Sequence, residues 1–318
     1  MDITVFDQRG ERTTGQTELT TLLASKDALV WVDMIGPTDA DVVAMQEHFG
    51  FHALAIEDTR NQRQRPKVEE YPDHLFVILN PAERDGQIAD FRELDVFVGQ
   101  NYIVTVHRGE EPLIDEALRR LSHDPAANQA PGHLLYVLMD SMVDAYFHIL
   151  DQIGEEIDEL EDLLLLSPNS QNMARLLSLR RSLLVMSRIV SAQRDMFTFL
   201  ERPDLPFLAY ESLQYHMRDV QDHVLRVSEA LNLYRDVLTT LVELHTTAVS
   251  NRLNQVVNRL TVVTIAVGTL GFISGFYGMN FERTWPPFGA AWGVPLVLII
   301  MIGAIILILS AFKRLRWF

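Results

Sequence analysis

Cysteine is absent from the 318-residue sequence, which excludes disulfide bonds and thiolate metal sites. Basic residues are in the minority: 27 lysines and arginines stand against 43 aspartates and glutamates, for a formal net charge of -16. Recognition of nucleic acid needs a basic surface, so we expect no nucleic-acid partner. The sequence also lacks the glycine-rich loops of nucleotide-binding proteins, the nucleophile elbow of serine hydrolases and the paired histidines of zinc proteases. These absences predict a protein that is not an enzyme and that holds no organic cofactor.

The N-terminus lacks a basic segment followed by an apolar core, so we expect no signal peptide and a large N-terminal part that stays in the cytoplasm. Charged residues are missing from two long runs near the C-terminus, 260–281 and 284–312. A helix needs about twenty apolar residues to cross the hydrocarbon core of a membrane. We therefore predict transmembrane helices at 260–280 and 291–312, with an external loop at 281–290 between them.

A basic tail, residues 313–318, follows the second predicted span and contains Lys313, Arg314 and Arg316. Basic residues beside a span favour the cytoplasmic side of the membrane. An even number of spans returns the chain to the side on which it began, so both termini are expected in the cytoplasm. The expected location is the inner or plasma membrane, with the lipid bilayer as a partner.

Residues 1–131 combine short β-branched runs with amphipathic segments, a pattern typical of a mixed sheet with helices. We assign them to a cytoplasmic α/β domain. One helix is predicted at 40–49, with Thr38 or Asp39 as its N-cap, and another begins at Pro112. The runs and turn signals that predict strands and hairpins lie at 3–6, 29–32, 74–79, 85–86, 99–101 and 102–106.

Long helices are predicted for the rest of the chain. Apolar residues recur three and four positions apart over 132–202, with a break at 167–169, and this spacing predicts an antiparallel helix pair. Neither glycine nor proline occurs from residue 207 to 267. A helix of that length is roughly 90 Å long, and we predict a stalk at 203–259 that continues into the first span. Its exposed apolar seam favours a parallel bundle of identical subunits.

Polar and small residues follow one face of the predicted stalk and first span. Its members lie three or four positions apart: Asn251, Asn254, Asn258, Thr261, Thr264, Gly268, Gly271 and Gly275. Because polar side chains inside a membrane rarely face lipid, we interpret this face as the lining of a water-containing pore. The alternative is close packing of helices through small residues. The face carries no charge, which suits an ion such as Mg²⁺ that keeps its hydration shell.

The tripeptide Gly278-Met279-Asn280 stands at the outer end of the first predicted span and is the most specific feature of the sequence. A second span and a basic tail follow it. In this setting the chain resembles the CorA-type divalent cation channels, and the likeness covers nearly its whole length. Weaker signatures of that family occur in the family's order at 31–33, 49–52, 55–58, 63–69 and 234–236.

The resemblance implies a funnel-shaped homopentamer, with an α+β cytoplasmic domain followed by long helices and two C-terminal transmembrane helices. It implies a channel for divalent cations, with passive influx of Mg²⁺ driven by the membrane potential and with Co²⁺ and Ni²⁺ as secondary ions. Gly278, Met279 and Asn280 would form the selectivity filter, and Glu282 would stand at the external mouth. The residues expected to line the pore are Asn254, Val257, Leu260, Thr261, Thr264, Gly268, Gly271 and Gly275.

The resemblance also implies that regulatory Mg²⁺ binds between neighbouring subunits. Asp58 in the cytoplasmic domain and Asp219 on the stalk match one such site, and Glu57 and Asp140 match a second. Facing carboxylates repel one another, a divalent ion cancels that repulsion, and loss of the ion lets the subunits move apart. Internal Mg²⁺ would then close its own entry path.

Two departures from the family pattern concern the mouth and the gate. Apart from Glu282, the external loop lacks the acidic residue that is common in the family, which weakens the attraction expected for cations. Gly268 and Thr269 stand where the family often has a bulky residue and a proline, and this leaves open a wider or differently placed gate.

Two other functions stand as alternatives. One is zinc transport in the related ZntB-like branch, although Met279 favours the Mg²⁺ branch. His216 and His223, seven positions apart, suit zinc, but we interpret them as solvated or interface residues. The other alternative is a membrane-anchored oligomeric scaffold that conducts no ion and would not require Asn280.

Overall fold

The computed structural model describes residues 2–7, 10–14, 19–24, 28–62, 64–85, 88–123, 130–166, 170–202, 204–205, 207–208, 210–279, 285–287 and 290–314. The chain forms two compact units, Met1–Thr240 and Leu241–Phe318.

The strands and helices of the described residues follow one another along the chain with short connections. The strands are β1 (Asp2–Asp7), β2 (Gly10–Thr14), β3 (Leu29–Ile35), β4 (Lys67–Glu70), β5 (Leu75–Leu79), β6 (Ala82–Asp85), β7 (Ile88–Phe91), β8 (Leu94–Val98) and β9 (Tyr102–His107). The helices are α1 (Leu19–Ala24), α2 (Asp39–Phe49), α3 (Ala53–Asn61), α4 (Pro112–His123), α5 (Pro131–Leu166), α6 (Ser170–Leu200), α7 (Tyr210–Tyr277) and α8 (Gly293–Arg314).

The first unit contains a seven-stranded mixed sheet with the strand order β2-β1-β3-β9-β8-β5-β4. β3 and β9 run parallel, and the other neighbouring strands are antiparallel. Every residue of β5 and β8 is buried, so helices or loops cover both faces of the sheet at its centre. The strands expected from the β-branched runs and the hairpin at 99–101 are confirmed. β6 and β7 pair on either side of the turn predicted at 85–86, whose Gly86 lies outside the described residues.

The residues that flank the helix α2 explain where it begins and where it ends. Thr38 is its N-cap and exchanges hydrogen bonds with Asp41 in a capping box, which satisfies amide groups at the start of the helix. Gly50 ends the helix with φ +68°, in the left-handed region that glycine adopts at little cost. Of the two candidate N-caps, Thr38 is therefore the correct one.

The helices α5 and α6 pack against each other in opposite directions. Tyr146 on α5 accepts a hydrogen bond from Gln193 near the end of α6 at 2.8 Å, whereas Glu159, later on α5, pairs with Arg175 near the start of α6 at 2.9 Å. α5 also contacts β8 and β9, and α6 contacts β4 and β7. Within the described residues α5 and α6 thus run antiparallel, and they pack against strands of the first unit.

The helix α7 runs without interruption for 68 residues, as the lack of glycine and proline predicted. Its first part belongs to the first unit and the remainder to the second. Two described helices, Leu213–Tyr277 and Gly293–Arg314, are long and apolar enough to cross a membrane by length and composition. The fold class expected from the sequence, a mixed sheet with long helices and two apolar C-terminal helices, is confirmed.

Candidate ion pathway and metal sites

Asp58, the first predicted regulatory ligand, lies on α3 and is half-buried. Its Oδ2 accepts a hydrogen bond from the Nζ of Lys67 at 2.6 Å, and its Oδ1 accepts one from Gln64 at 3.3 Å. Lys67 lies on β4 opposite Ile78, so the sheet fixes its position. Both oxygens of Asp58 are therefore engaged within the chain. Glu57, its neighbour, is exposed on the same helix.

Further acidic residues lie near Asp58. Asp95 on β8 is fully buried, and its burial, reinforced by the nearby charge of Glu93, raises the pKa of its carboxyl well above the ordinary value. The charge of Asp58 contributes in the same direction. A raised pKa favours the protonated, uncharged form of Asp95, and Lys67 is the cation that balances the charge of Asp58 at this point.

Asp219, the second predicted ligand, lies on α7 with 58% of its side chain exposed. Its Oδ1 lies 3.8 Å from Nε2 of His223, one helical turn later. Among the described residues, Asp58 and Asp219 share no ion pair or hydrogen bond within the chain.

Asp140, predicted for the second acidic site, is buried on α5, and Oδ2 accepts a hydrogen bond from Arg120 on α4 at 2.6 Å. Asp144, one turn further along α5, lies 4.0 Å from the same guanidinium. Burial and the charge of Asp140 raise the pKa of Asp144 above its ordinary value. The structure does not show Glu57 beside Asp140 within one chain.

Asp140, Asp144 and His223 form a cluster whose ligand atoms all lie within 4.8 Å of one another. Among the described residues, Nδ1 of His223 is buried without a hydrogen-bond partner. Two carboxylates and a neutral imidazole make a donor set that fits a divalent metal, although Arg120 already neutralises part of the negative charge. The spacing of four between Asp140 and Asp144 places both carboxylates on one face of α5, and this is the only part of the cluster that the sequence pattern indicates.

The second unit presents the predicted pore-lining residues on one face of α7. Asn254, Val257, Leu260, Thr264, Gly268, Gly271 and Gly275 are exposed, and Thr261 is half-exposed. Val262, which is buried, lies about 160° around the helix from Thr264, at 3.6 residues per turn. The side of α7 that is covered within the chain is therefore not the side that carries the polar and small residues.

The threonines of this face use their hydroxyl protons within the helix. Thr261 donates to the carbonyl of Val257, and Thr264 donates to that of Leu260, each at 2.9 Å. A hydroxyl that donates in this way presents only lone pairs to its surroundings. The two side chains can thus accept hydrogen bonds from the water molecules around a cation, but they offer no proton to an anion.

The glycines of the face have open space beside them. A Cβ atom built at Gly268, Gly271 or Gly275 would meet no atom within 4 Å. Among the described residues, these three glycines therefore make no close helix-to-helix contact within the chain.

The helix α7 ends at the predicted selectivity filter. Gly278 donates its amide to the carbonyls of Ser274 and Gly275 at 3.0 and 3.2 Å, and Met279 donates to that of Phe276 at 3.3 Å. The hydroxyl of Tyr277 donates to the carbonyl of Trp285 at 2.8 Å, which joins the helix end to the following segment. The predicted filter residue Asn280 and the predicted mouth residue Glu282 lie outside the described residues.

Comparison with known proteins identifies the family of the chain. A family model described as "CorA-like Mg2+ transporter protein" matches residues 26–314. The chain belongs to this CorA-like family. The cobalt/magnesium transport protein CorA of Thermotoga maritima is 30% identical over 308 residues, which cover 95% of this chain and 87% of that relative. The putative metal ion transporter YfjQ of Bacillus subtilis is 32% identical over 292 residues, with coverage of 92% and 90%.

A solved structure shows the same CorA-like fold. The complete structure of the CorA magnesium transporter from Methanocaldococcus jannaschii matches with a TM-score of 0.86 at 24% identity, over 100% of this chain and 99% of that one. This CorA-like chain, which has two helices long and apolar enough to cross a membrane, thus belongs by its family match to a family of membrane transporters.

Proposed function

We propose that the protein is a channel through which hydrated Mg²⁺ enters the cell passively, with Co²⁺ and Ni²⁺ as secondary ions. The observation that carries this proposal is the uncharged face of α7, on which asparagine, threonine and glycine are exposed in a membrane-length helix. The names of the relatives, which include cobalt/magnesium transport, support the choice of ion.

The chemistry of the face suits an ion that retains its water. Mg²⁺ loses its hydration shell reluctantly, and amide or hydroxyl oxygens can accept hydrogen bonds from that shell without holding the ion tightly. A divalent ion that moves inward gains about 4 to 5 kcal/mol per 100 mV, twice the value for a single charge. The membrane potential therefore provides a driving force without nucleotide hydrolysis.

The proposed assembly is a homopentamer in which the polar faces of five α7 helices surround the ion path. Among the described residues of one chain, no element covers this face, although it combines exposed Leu260 and Val257 with polar neighbours. A ring of copies would bury the apolar members and leave the polar members around a central channel. Gly278, Met279 and Asn280 would then stand at the outer entrance as the filter, beside Glu282 in the loop.

For regulation, we propose that internal Mg²⁺ joins Asp58 of one subunit to Asp219 of the next. Carboxylate oxygens are the ligands that Mg²⁺ prefers, and both side chains retain some exposure to solvent. Glu57 and Asp140 form the second proposed site, where Arg120 would have to share Asp140 with the ion. Loss of the ions would leave facing carboxylates that repel one another and favour the open state.

Ion flux into liposomes that contain the purified protein tests the function. At low internal Mg²⁺ and an inside-negative potential, we expect Mg²⁺ influx, and Asn280→Ala should change its rate or selectivity. Asp58→Ala combined with Asp219→Ala should leave the flux less inhibited by internal Mg²⁺. Absence of Mg²⁺ flux from folded, oligomeric protein would overturn the channel and favour a scaffold that conducts no ion.

Zinc transport is the second candidate, because the cluster of Asp140, Asp144 and His223 includes a nitrogen ligand. Zinc accepts mixed nitrogen and oxygen donors more readily than Mg²⁺ does. The same liposomes, loaded with a zinc-sensitive dye, separate the two functions. Zn²⁺ influx that exceeds Mg²⁺ influx under equal gradients would favour zinc as the physiological ion.

A further inference from the structure

The ammonium group of Lys67 lies between two carboxylates. Its Nζ is 2.6 Å from Oδ2 of Asp58 on α3 and 2.6 Å from Oε1 of Glu69 on β4. The second oxygen of Glu69 accepts a hydrogen bond from the hydroxyl of Tyr71 at 2.8 Å. Lys67 thus already occupies one oxygen of the residue that the proposed function assigns to the regulatory ion.

The ion pair between Lys67 and Asp58 is partly shielded from solvent, and the sheet fixes the position of Lys67. About a quarter of the Asp58 side chain and 29% of the Lys67 side chain are exposed, so solvent screens the pair only in part. The ammonium lies 5.6 Å from the ring centre of Phe76, a fully buried residue on β5. The ladder between β4 and β5 therefore holds Lys67 beside Asp58.

We propose that Lys67 is a tethered cation that competes with the divalent ion for Asp58 and so sets the Mg²⁺ concentration at which the channel closes. This inference rests on the proposed function, in which Asp58 is a ligand of the regulatory ion. A divalent ion and an ammonium repel each other, and both cannot share Oδ2 of Asp58 at bonding distance. An ion that binds Oδ2 therefore displaces Lys67 from Asp58.

Glu69 remains a hydrogen-bond partner for the ammonium of Lys67 after the ion has displaced that ammonium from Asp58. It already accepts a hydrogen bond from Lys67, and Tyr71 fixes its other oxygen. When the ion arrives, Lys67 keeps one carboxylate partner and loses only the contact with Asp58. Glu69 therefore favours ion binding, whereas the charge of Lys67 opposes it, and substitution of the two residues should have opposite effects.

The experiment measures Mg²⁺ binding to the full-length protein in detergent, by calorimetry and by protection of the chain from limited proteolysis. Lys67→Met removes the charge but keeps a long apolar side chain, and we expect the half-saturating Mg²⁺ concentration to fall about two- to fivefold, the range of a partly exposed ion pair. Lys67→Arg keeps the charge and should remain near wild type. Glu69→Gln should raise the half-saturating concentration.

The outcomes separate the inference from the proposed function. If Asp58→Asn leaves the titration unchanged, Asp58 is not a ligand and the proposed regulation fails. If Asp58→Asn weakens binding but Lys67→Met leaves it unchanged or weakens it, Lys67 only positions Asp58 and the inference is overturned. Should Lys67→Met fail to fold in EDTA, Glu69→Gln decides alone, and tighter or unchanged Mg²⁺ binding in that variant contradicts the competition.

Discussion

The imidazole of His107 lies between two acceptors, the carboxylate of Asp33 and the carbonyl of Gly109. Its Nε2 is 3.2 Å from both oxygens of Asp33, and its Nδ1 contacts the Gly109 carbonyl. Because both ring nitrogens face acceptors, both must carry protons for the two contacts to be hydrogen bonds. The side chain is only 4% exposed, so this arrangement favours an imidazolium at a nearly buried position where the parallel strands β3 and β9 end.

This pair predicts that the first unit loses stability as pH rises. Burial disfavours the charge of His107, but the Asp33 carboxylate and the Gly109 carbonyl outweigh burial and raise its pKa above 6.5. A raised histidine pKa stabilises the fold fully below the unfolded value, and this contribution disappears as pH rises through the folded value. Thermal unfolding between pH 6 and 9 should show the decline, and His107→Gln should remove it.

The comparison with His107→Gln also corrects for Glu111, whose charge faces His107 and whose own pKa is raised by burial. Glu111 is present in both proteins, so most of its titration cancels in the difference. If the wild type and His107→Gln lose stability in parallel as pH rises, His107 is not the titrating group.

The buried carboxylate of Asp140 depends on Arg120 for its charge balance. Removal of one partner from a buried pair leaves an uncompensated charge, which costs about 3 to 5 kcal/mol when both partners are buried. Arg120 is a third exposed, so we expect about 1 to 3 kcal/mol from Arg120→Met. Chemical unfolding of the purified protein measures this loss.

The neighbouring arginine provides the matched control. Arg119 pairs with Glu116 at 2.7 Å, but 66% of its side chain is exposed. Arg119→Met should therefore cost less than about 0.5 kcal/mol. Equal losses for Arg119→Met and Arg120→Met would show that the charge of Asp140 is not balanced by Arg120 in solution.

Local sequence signals predicted the elements well because they depend on neighbours in the chain. The capping box at Thr38 and Asp41 and the long run without glycine or proline in α7 each act within a few residues. Such signals state where a helix begins and which residues share a face. They therefore predicted the stalk, both candidate spans and the polar face.

The contacts at the acidic sites could not be predicted in the same way, because they depend on which faces meet. Lys67 reaches Asp58 only because β4 lies beside the end of α3, and Arg120 reaches Asp140 only because α4 packs on α5. The spacing along the chain contains no information about either contact. The resemblance indicated Asp58 and Asp140 as acids but did not indicate the cations that already neutralise them.

Tyr146 on α5 makes two hydrogen bonds, one to Asn80, the residue after β5, and one to Gln193 on α6. Its hydroxyl donates to the carbonyl of Asn80 at 2.5 Å and accepts from Gln193 at 2.8 Å, and the side chain is fully buried. Tyr146→Phe removes the donor to the Asn80 carbonyl and leaves Nε2 of Gln193 with only the weak acceptor Sδ of Met142 at 3.2 Å, so we expect a loss of about 1 to 3 kcal/mol in the free energy of unfolding. Tyr136→Phe, at a half-buried position on the same helix, should cost less than about 0.5 kcal/mol. Comparable losses would mean that the hydroxyl of Tyr146 contributes little.

Two threonines of α7 allow a direct test of the polar face. Thr264 and Thr269 both donate to the carbonyl four residues earlier, at 2.9 and 2.8 Å, but they lie about 140° apart around the helix. Valine replaces the hydroxyl with a methyl group of similar size. If the face of Thr264 lines the ion path, Thr264→Val removes an acceptor for the hydration shell, whereas Thr269→Val does not.

The expected effect follows from the strength of one hydrogen bond. A loss of about 0.5 to 1.5 kcal/mol at the barrier slows Mg²⁺ influx about two- to tenfold in Thr264→Val. Influx through Thr269→Val should equal that of the wild type, and both variants should show the same oligomer size by light scattering. Each variant loses a hydrogen bond from its side chain to the carbonyl four residues earlier. An equal decrease in flux in both variants would therefore mean that the loss of this bond within α7, and not a change in the pore lining, causes the decrease. A larger decrease in Thr269→Val would place the ion path on the other side of α7.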